Sequence, residues 1–249
     1  MGAGGLALAG VHPGARAQPP AALRLVTGDL PPFAAGPPAD RPGVLVELAE
    51  ELLRRIGQPT KTEFFPWARA LLLSSSQPRI LVLPLTRTPE REAKYQWLVK
   101  LYVQHFVFIN RADQARITQL EQARRLRISV LRGAPSAAQL LRAGFSEEQL
   151  VWAGSVEETL RQLERGHADA IFASEEITLD MVRVSGRKTA DFQVGLMLES
   201  GEIWLAAGGG VTELEQQRLR DVHRAMRADG SIERLFKSYD IKLRHEDLR

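Results

Sequence analysis

The order of strand-like and helix-like runs repeats once along this chain, and that recurrence limits its fold more than any single motif. Residues 23–27 (LRLVT) form a short β-branched and apolar run, closed by the turn-rich GDLPPFAAGPPADRPG; a strand and then a loop are predicted. Leu45, Leu48, Leu52 and Ile56 recur at helical spacing until Gly57 and Pro59 stop the pattern, so 44–56 reads as an amphipathic helix. KTEFF supplies a second strand and PWARALLLSSS a short helix opened by Pro66. Residues 80–83 (ILVL) are apolar on both faces, as in a parallel sheet covered by helices.

The pattern then restarts with 127–131 (RISVL), a helix from Ser136, VWA, a helix from Ser155, and 169–173 (DAIFA). Ser136 with Gln139 and Ser155 with Glu158 match capping-box spacing. Between the two sets lies YVQHFVFIN (102–110), and after the second comes EIWLAAG (202–208), two extended stretches suited to pair as crossing strands. Helices at 212–228, with a capping box at Thr212 and Glu215, and at 231–239 close the chain. The expected architecture is α/β with two lobes joined by two strand crossovers that form a hinge. Residues 22–105 and 205–249 make lobe 1 and 106–204 lobe 2. A cleft between such lobes is a common small-molecule site, and hinge closure around a ligand follows from it.

Residues 1–21 are expected to be a signal peptide or disordered leader. Leu6 to Val11 are a short apolar run, and Ala15-Arg16-Ala17 is a small-x-small cleavage signal, although the basic n-region is missing. No later segment approaches 18 apolar residues without charge, which favours an exported, soluble, periplasmic protein. The 33 basic and 30 acidic residues are interspersed, with no basic tract or aromatic-basic face, so no nucleic-acid partner is expected. Zero cysteines exclude thiol nucleophiles, disulfides and thiolate metal sites. His12, His105, His167, His223 and His245 are dispersed without metal-ligand spacing or a nucleophile elbow. No metal, cofactor or catalytic residue is therefore assigned.

TRTPERE (86–92) carries the strongest chemical signal. Thr88 reads as an N-cap, Pro89 as the first helical residue and Glu90 as a favourable first-turn acid. Arg91 then falls one turn in, where the macrodipole disfavours a cation by roughly 0.3–1 kcal/mol. Backbone N–H groups, a threonine hydroxyl and a guanidinium fork there suit a carboxylate. The alternative is a surface arginine paired with Glu90, Glu92 or another acid.

These stretches resemble the type II periplasmic solute-binding proteins, family 3 extracellular solute-binding proteins, in the branch serving ABC importers of amino acids. The resemblance runs from Leu23 to about Ile241. It is carried by LRLVTGDLPPFA, GVLVELAEELLRRIG, FFPWARA, LTRTPERE, LRISVLRGAPSAAQLL, HADAIFAS and MRADGSIERLFKSYDI. It implies that Arg91 holds a ligand carboxylate with Thr86 as co-donor, and that Trp67 stacks on the ligand unless it is a core ring. Gly133 and Ser136 become second-lobe donors, although Ser136 also reads as a cap. Arg69 and Arg87 resemble a sub-branch with Pro-Trp-x-Arg-Ala and Arg-Thr-x-Glu-Arg, and suit a second acidic group. Where the family's amino-acid binders place an aspartate for the ligand's ammonium, this chain has Ser174, itself a fitting N-cap, followed by Glu175 and Glu176. Leu30 replaces a clamping aromatic.

The expected function is a monomeric periplasmic receptor that captures a small anionic or zwitterionic solute and delivers it to the membrane permease of an ABC transporter. The alternatives are an enzyme on the same scaffold, dehydratase-like or fused to a lytic domain, and a sensor that does not transport.

Overall fold

The computed structural model describes Met1, residues 21–241 and Leu243. The expected leader, apart from Met1 and Ala21, and also His12 and His245, lie outside the described residues. One mixed sheet of eight strands, ordered β2-β1-β3-β8-β4-β7-β5-β6, runs through the whole chain.

At one end of the sheet, β1 (Arg24–Thr27) pairs in parallel with β2 (Glu63–Phe64) and β3 (Ile80–Thr86). Helices α1 (Val44–Arg55) and α2 (Trp67–Ser76) connect these strands. All seven residues of β3 are buried, as the doubly apolar run requires. At the other end, β5 (Ile128–Leu131) pairs in parallel with β6 (Leu150–Ala153) and β7 (Ala170–Ser174). These are linked by α4 (Ser136–Arg142) and α5 (Val156–Glu164), after a short α3 (Leu120–Ala123). Helix α6 (Glu175–Val184) follows β7.

The two crossing strands are far longer than the apolar stretches that announced them. β4 (Gln96–Arg111) and β8 (Phe192–Ala207) have 16 residues each and pair antiparallel from Gln96–Ala207 to Arg111–Phe192. Helices α7 (Glu213–Ala228) and α8 (Ser231–Lys237) return to the first lobe, where Leu219, Met226, Ile232 and Phe236 join the core of Leu45, Leu48 and Leu52. A second core, around Phe108, Phe145 and Phe172, belongs to the second lobe. A third draws on both: Val26, Leu30 and Trp67 cluster with Leu131, Val156 and Leu160.

Two local expectations are corrected. The helix predicted from Pro89 is a six-residue 3-10 turn (Pro89–Lys94) without a side-chain cap, because β4 begins two residues later. Its short, loosely aligned peptide dipoles make the expected penalty on Arg91 small. The capping box at Ser136 and Gln139 does not form either. Pro135 is already helical (φ −72°, ψ −11°) and its carbonyl receives the Gln139 N–H at 3.0 Å, so Ser136 sits one position too late to cap. Ser155 and Thr212 do cap, accepting from the N–H of Glu158 and Glu215, but only Thr212 forms the reciprocal box, since Glu158 accepts from the Gly154 N–H instead.

A buried ion pair ties the residue before β3, and through it the segment before β1, to the start of α7. Arg79, at φ 63°, donates to Glu215 at 2.9 and 3.1 Å, to the Gly210 carbonyl at 2.8 Å and to the Ala21 carbonyl. The guanidinium and the Thr212 donors hold the Glu215 carboxyl down at about 2, from an ordinary 4.5. This stabilisation is full above pH 4.5 and is lost as pH falls toward 2. Glu215→Gln should cost about 3 kcal/mol at neutral pH and flatten the acid limb of stability below pH 4.5, measured by urea unfolding at several pH values.

Candidate functional site

Arg91 sits where the two lobes meet. The 3-10 turn after β3 folds its side chain back, so that Nη1 donates to the Thr86 carbonyl at 2.8 Å. Nη2 reaches across to the Gly133 carbonyl, beyond β5 in the second lobe, at 2.7 Å. Among the described residues no carboxylate forms a salt bridge with it. Burial lowers its proton affinity, Tyr95 and Glu90 oppose that loss, and the guanidinium stays charged. Two of its five donors are spent on neutral carbonyls. The residue lines a cavity of about 50 Å³ between the lobes.

Around this cation the cavity has polar points set in apolar walls. Thr86 Oγ1 accepts from Gln104 Nε2 at 2.7 Å, both residues being buried. From the second lobe come Ser136 and Thr178, each fully buried, whose hydroxyl oxygens have no hydrogen-bond partner. Ser174 also lines the cavity; its Oγ accepts from the Ile177 N–H at 3.5 Å and donates to Glu176 at 3.1 Å. The walls are Leu30, Trp67, Phe106, Leu131, Val156 and Ile177. No Asp or Glu lines the cavity. Glu176 turns to the other face of the sheet, 3.2 Å from His105 Nδ1.

Gly133 lies where the two lobes approach and holds a backbone conformation that favours glycine. Its φ is 84°, and a Cβ there would lie 2.9 Å from Leu71 Cδ1 of the first lobe. Trp67 lines the cavity and belongs to the core shared by the lobes, a position compatible with either reading of its role.

Of the nine expected site residues, Trp67, Thr86, Arg91, Ser136 and Ser174 come together at the cavity. Gly133 borders it through Arg91, but as an acceptor, because the turn aims its carbonyl rather than its N–H at the guanidinium. Three lie elsewhere. Arg69 is exposed, its guanidinium 5.3 Å from the Phe65 ring. Arg87 pairs with Glu92 and lies 5.0–5.3 Å from the Trp204 and Trp97 rings, away from the cavity. Glu175 faces a separate groove with Pro32, Tyr102 and Tyr239. Gln104 and Thr178 went unnoticed in the sequence. The available signals were a polar residue inside the apolar YVQHFVFIN and a threonine one helical turn beyond Ser174.

The arrangement can bind an anion. The free Ser136 and Thr178 hydroxyls have no base in hydrogen-bond reach, so neither is an activated nucleophile. Among the described residues no cluster of three or more His, Asp or Glu is placed to hold a metal.

The fold is that of two-lobed periplasmic binding proteins. A mutant of ArgBP from T. maritima superposes with a TM-score of 0.75 at 19% identity, over 87% of this chain and 94% of that one. The arginine-, lysine-, histidine-binding protein ArtJ from Geobacillus stearothermophilus gives 0.78 at 14%, over 90% and 98%. A histidine kinase sensor domain similar to periplasmic binding proteins gives 0.78 at 17%, over 87% and 95%. At these identities the likeness is one of fold. No protein-family model matches the sequence, and no curated protein matches it.

Because the Ser136 and Thr178 hydroxyls are buried without partners, deleting them removes no hydrogen bond. Ser136→Ala and Thr178→Val should leave unfolding stability unchanged or raise it by up to about 1 kcal/mol, read by thermal melting without ligand.

Proposed function

We propose that this protein is a solute-binding receptor that captures a small carboxylate-bearing solute between its lobes and hands it to the membrane permease of an ABC-type importer. The observation that carries this reading is Arg91: a half-buried guanidinium without a carboxylate, beside a cavity with two unpartnered hydroxyls. A carboxylate bound there would supply the missing charge and would use donors already oriented.

In this reading residues 22–105 and 205–249 move as one body and 106–204 as the other. A cavity of about 50 Å³ holds little more than one or two waters, so a solute enters only as the lobes part. Closure then restores the shared apolar core and adds contacts from both sides, the differential affinity that a binding-driven hinge needs. The protein acts exported and as a monomer, in the periplasm; no described helix is long and apolar enough to cross a membrane. It carries out no catalysis.

The fold likeness to a histidine kinase sensor domain favours one second reading, a receptor that reports the same solute to a membrane partner without transport. Loss of solute uptake on deleting the gene supports the importer reading, and an altered transcriptional response with intact uptake supports the sensor.

Arg91→Gln should abolish thermal stabilisation by the cognate carboxylate, a loss of at least tenfold in affinity, while the ligand-free melting temperature changes by only a few degrees. An Arg91→Gln protein that binds the solute as tightly as the wild type would overturn the anion-site reading.

A further inference from the structure

The charge around the cavity is one-sided. Arg91 is the sole charged residue among its lining groups, and the polar remainder is neutral: Thr86, Gln104, Ser136, Thr159, Ser174 and Thr178. An α-amino acid brings a carboxylate and an ammonium. The carboxylate finds Arg91, but the ammonium finds no carboxylate to pair with.

The acids on neighbouring elements are engaged elsewhere: Asp29, in the groove that shares Leu30 and Trp67 with the cavity, accepts from the Gly36 N–H at 3.0 Å. Glu176 is bound by the His105 backbone N–H at 3.4 Å and by the Ser174 hydroxyl at 3.1 Å, with the His105 ring 3.2 Å away. Glu175 faces the separate groove. Glu90 is exposed and pairs with Arg142. An ammonium taken into this cavity gives up its water for neutral hydroxyl and amide oxygens, within walls of leucine, valine, isoleucine, phenylalanine and tryptophan.

The second acidic group that Arg69 and Arg87 promised finds no partner either. Both guanidinium groups lie outside the cavity, Arg87 being held by Glu92. One cation and an apolar chamber suit one anionic head on an apolar body.

We infer that the ligand is a monocarboxylate with an apolar body and no ammonium group, held by Arg91 at its carboxylate and by the Ser136 and Thr178 hydroxyls at any further oxygen. This rests on the receptor reading, because it presumes that the cavity between the lobes is the binding site. The unpartnered hydroxyls give the selectivity its second component. Each can donate to a keto oxygen on the solute, and can donate to or accept from a hydroxyl there.

Calorimetry and thermal shift with two matched sets test this directly. One set is 4-methylpentanoate, leucine and 4-methylpentanamide; the other is 3-phenylpropanoate, phenylalanine and 3-phenylpropanamide. Within a set the body is nearly constant and only the charged groups change. The carboxylate should bind at least tenfold more tightly than its amino acid, and the amide should not bind. Ser174→Asp, which places an acid on the cavity wall, should narrow or reverse the preference.

An amino acid that binds as tightly as its matched carboxylate overturns this inference and leaves the receptor reading standing. Amides that bind as well as the acids, with affinity unchanged in Arg91→Gln, overturn both. Absence of binding by both carboxylates up to about 10 mM also overturns the inference. The receptor reading then still faces a wider screen with dicarboxylates and charged amino acids.

Discussion

The antiparallel ladder between β4 and β8 is the constraint on which the rest of the structure depends. Strand β3 pairs with β8 only at residues 203–207, and β7 pairs with β4 only at 106–109. Between those reaches the sheet narrows to the two crossing strands, at Val103, Gln104 and His105 opposite Ser200, Gly201 and Glu202. Register shifts flank this waist, at Lys100/Tyr102 and at Phe106/Val107, and such irregularities bend and twist a strand pair. Any motion of one lobe against the other passes through these few residues. The same waist builds the site: alternation along β4 turns Gln104 toward Thr86 on one face and His105 toward Glu176 on the other. Gly201 is needed opposite them, since a Cβ there would meet Thr86 Cγ2 at 2.8 Å and Phe106 Cε2 at 3.2 Å.

In the proposed reading, closure would have two unlike components. The apolar one is large, because Leu30 and Trp67 share a core with Leu131, Val156 and Leu160. It is also indifferent to what lies in the cleft, so by itself it gives no selectivity. The polar one is small and selective. Arg91 bonds the Gly133 carbonyl across the cleft at 2.7 Å, which means that an incoming anion must share or displace that bond. A neutral acceptor offers a guanidinium less than a carboxylate does, roughly half by the usual comparison of neutral and charge-assisted bonds. In the proposed reading such an exchange would favour the anion, with the interlobe contact keeping the arginine oriented beforehand.

Much of the fold was legible in the sequence because local signals and tertiary context agreed. The periodicity of Leu45, Leu48 and Leu52, the apolar run at the start of β3 and the box at Thr212 and Glu215 all describe what those residues do. The misses arose where a distant partner decides. The full length of β4 and β8 follows from their pairing with each other, not from apolar alternation, which Lys100, Glu199 and Glu202 interrupt. The cap spacing at Ser136 was misleading because Pro135 had already entered the helix. At the site, Arg91, Thr86 and Trp67 stand in stretches whose chemistry is local, whereas Gln104 and Thr178 reach the cavity only through sheet register and helix packing.

Arg87 and Arg91 show why residue type alone could not define this site. They stand four positions apart in one string, and both carry a full charge. Arg87 meets Glu92 in a partly exposed pair beside two tryptophan rings. Its field is compensated locally, and such a pair contributes about 0–1 kcal/mol. Arg91 meets only carbonyl oxygens in a half-buried setting, so its charge is left for whatever enters. The difference is set by the 3-10 turn, which leaves one side chain beside β8 and folds the other back over Thr86. A binding site of this kind is recognised less by the presence of a cation than by the lack of anything already answering it.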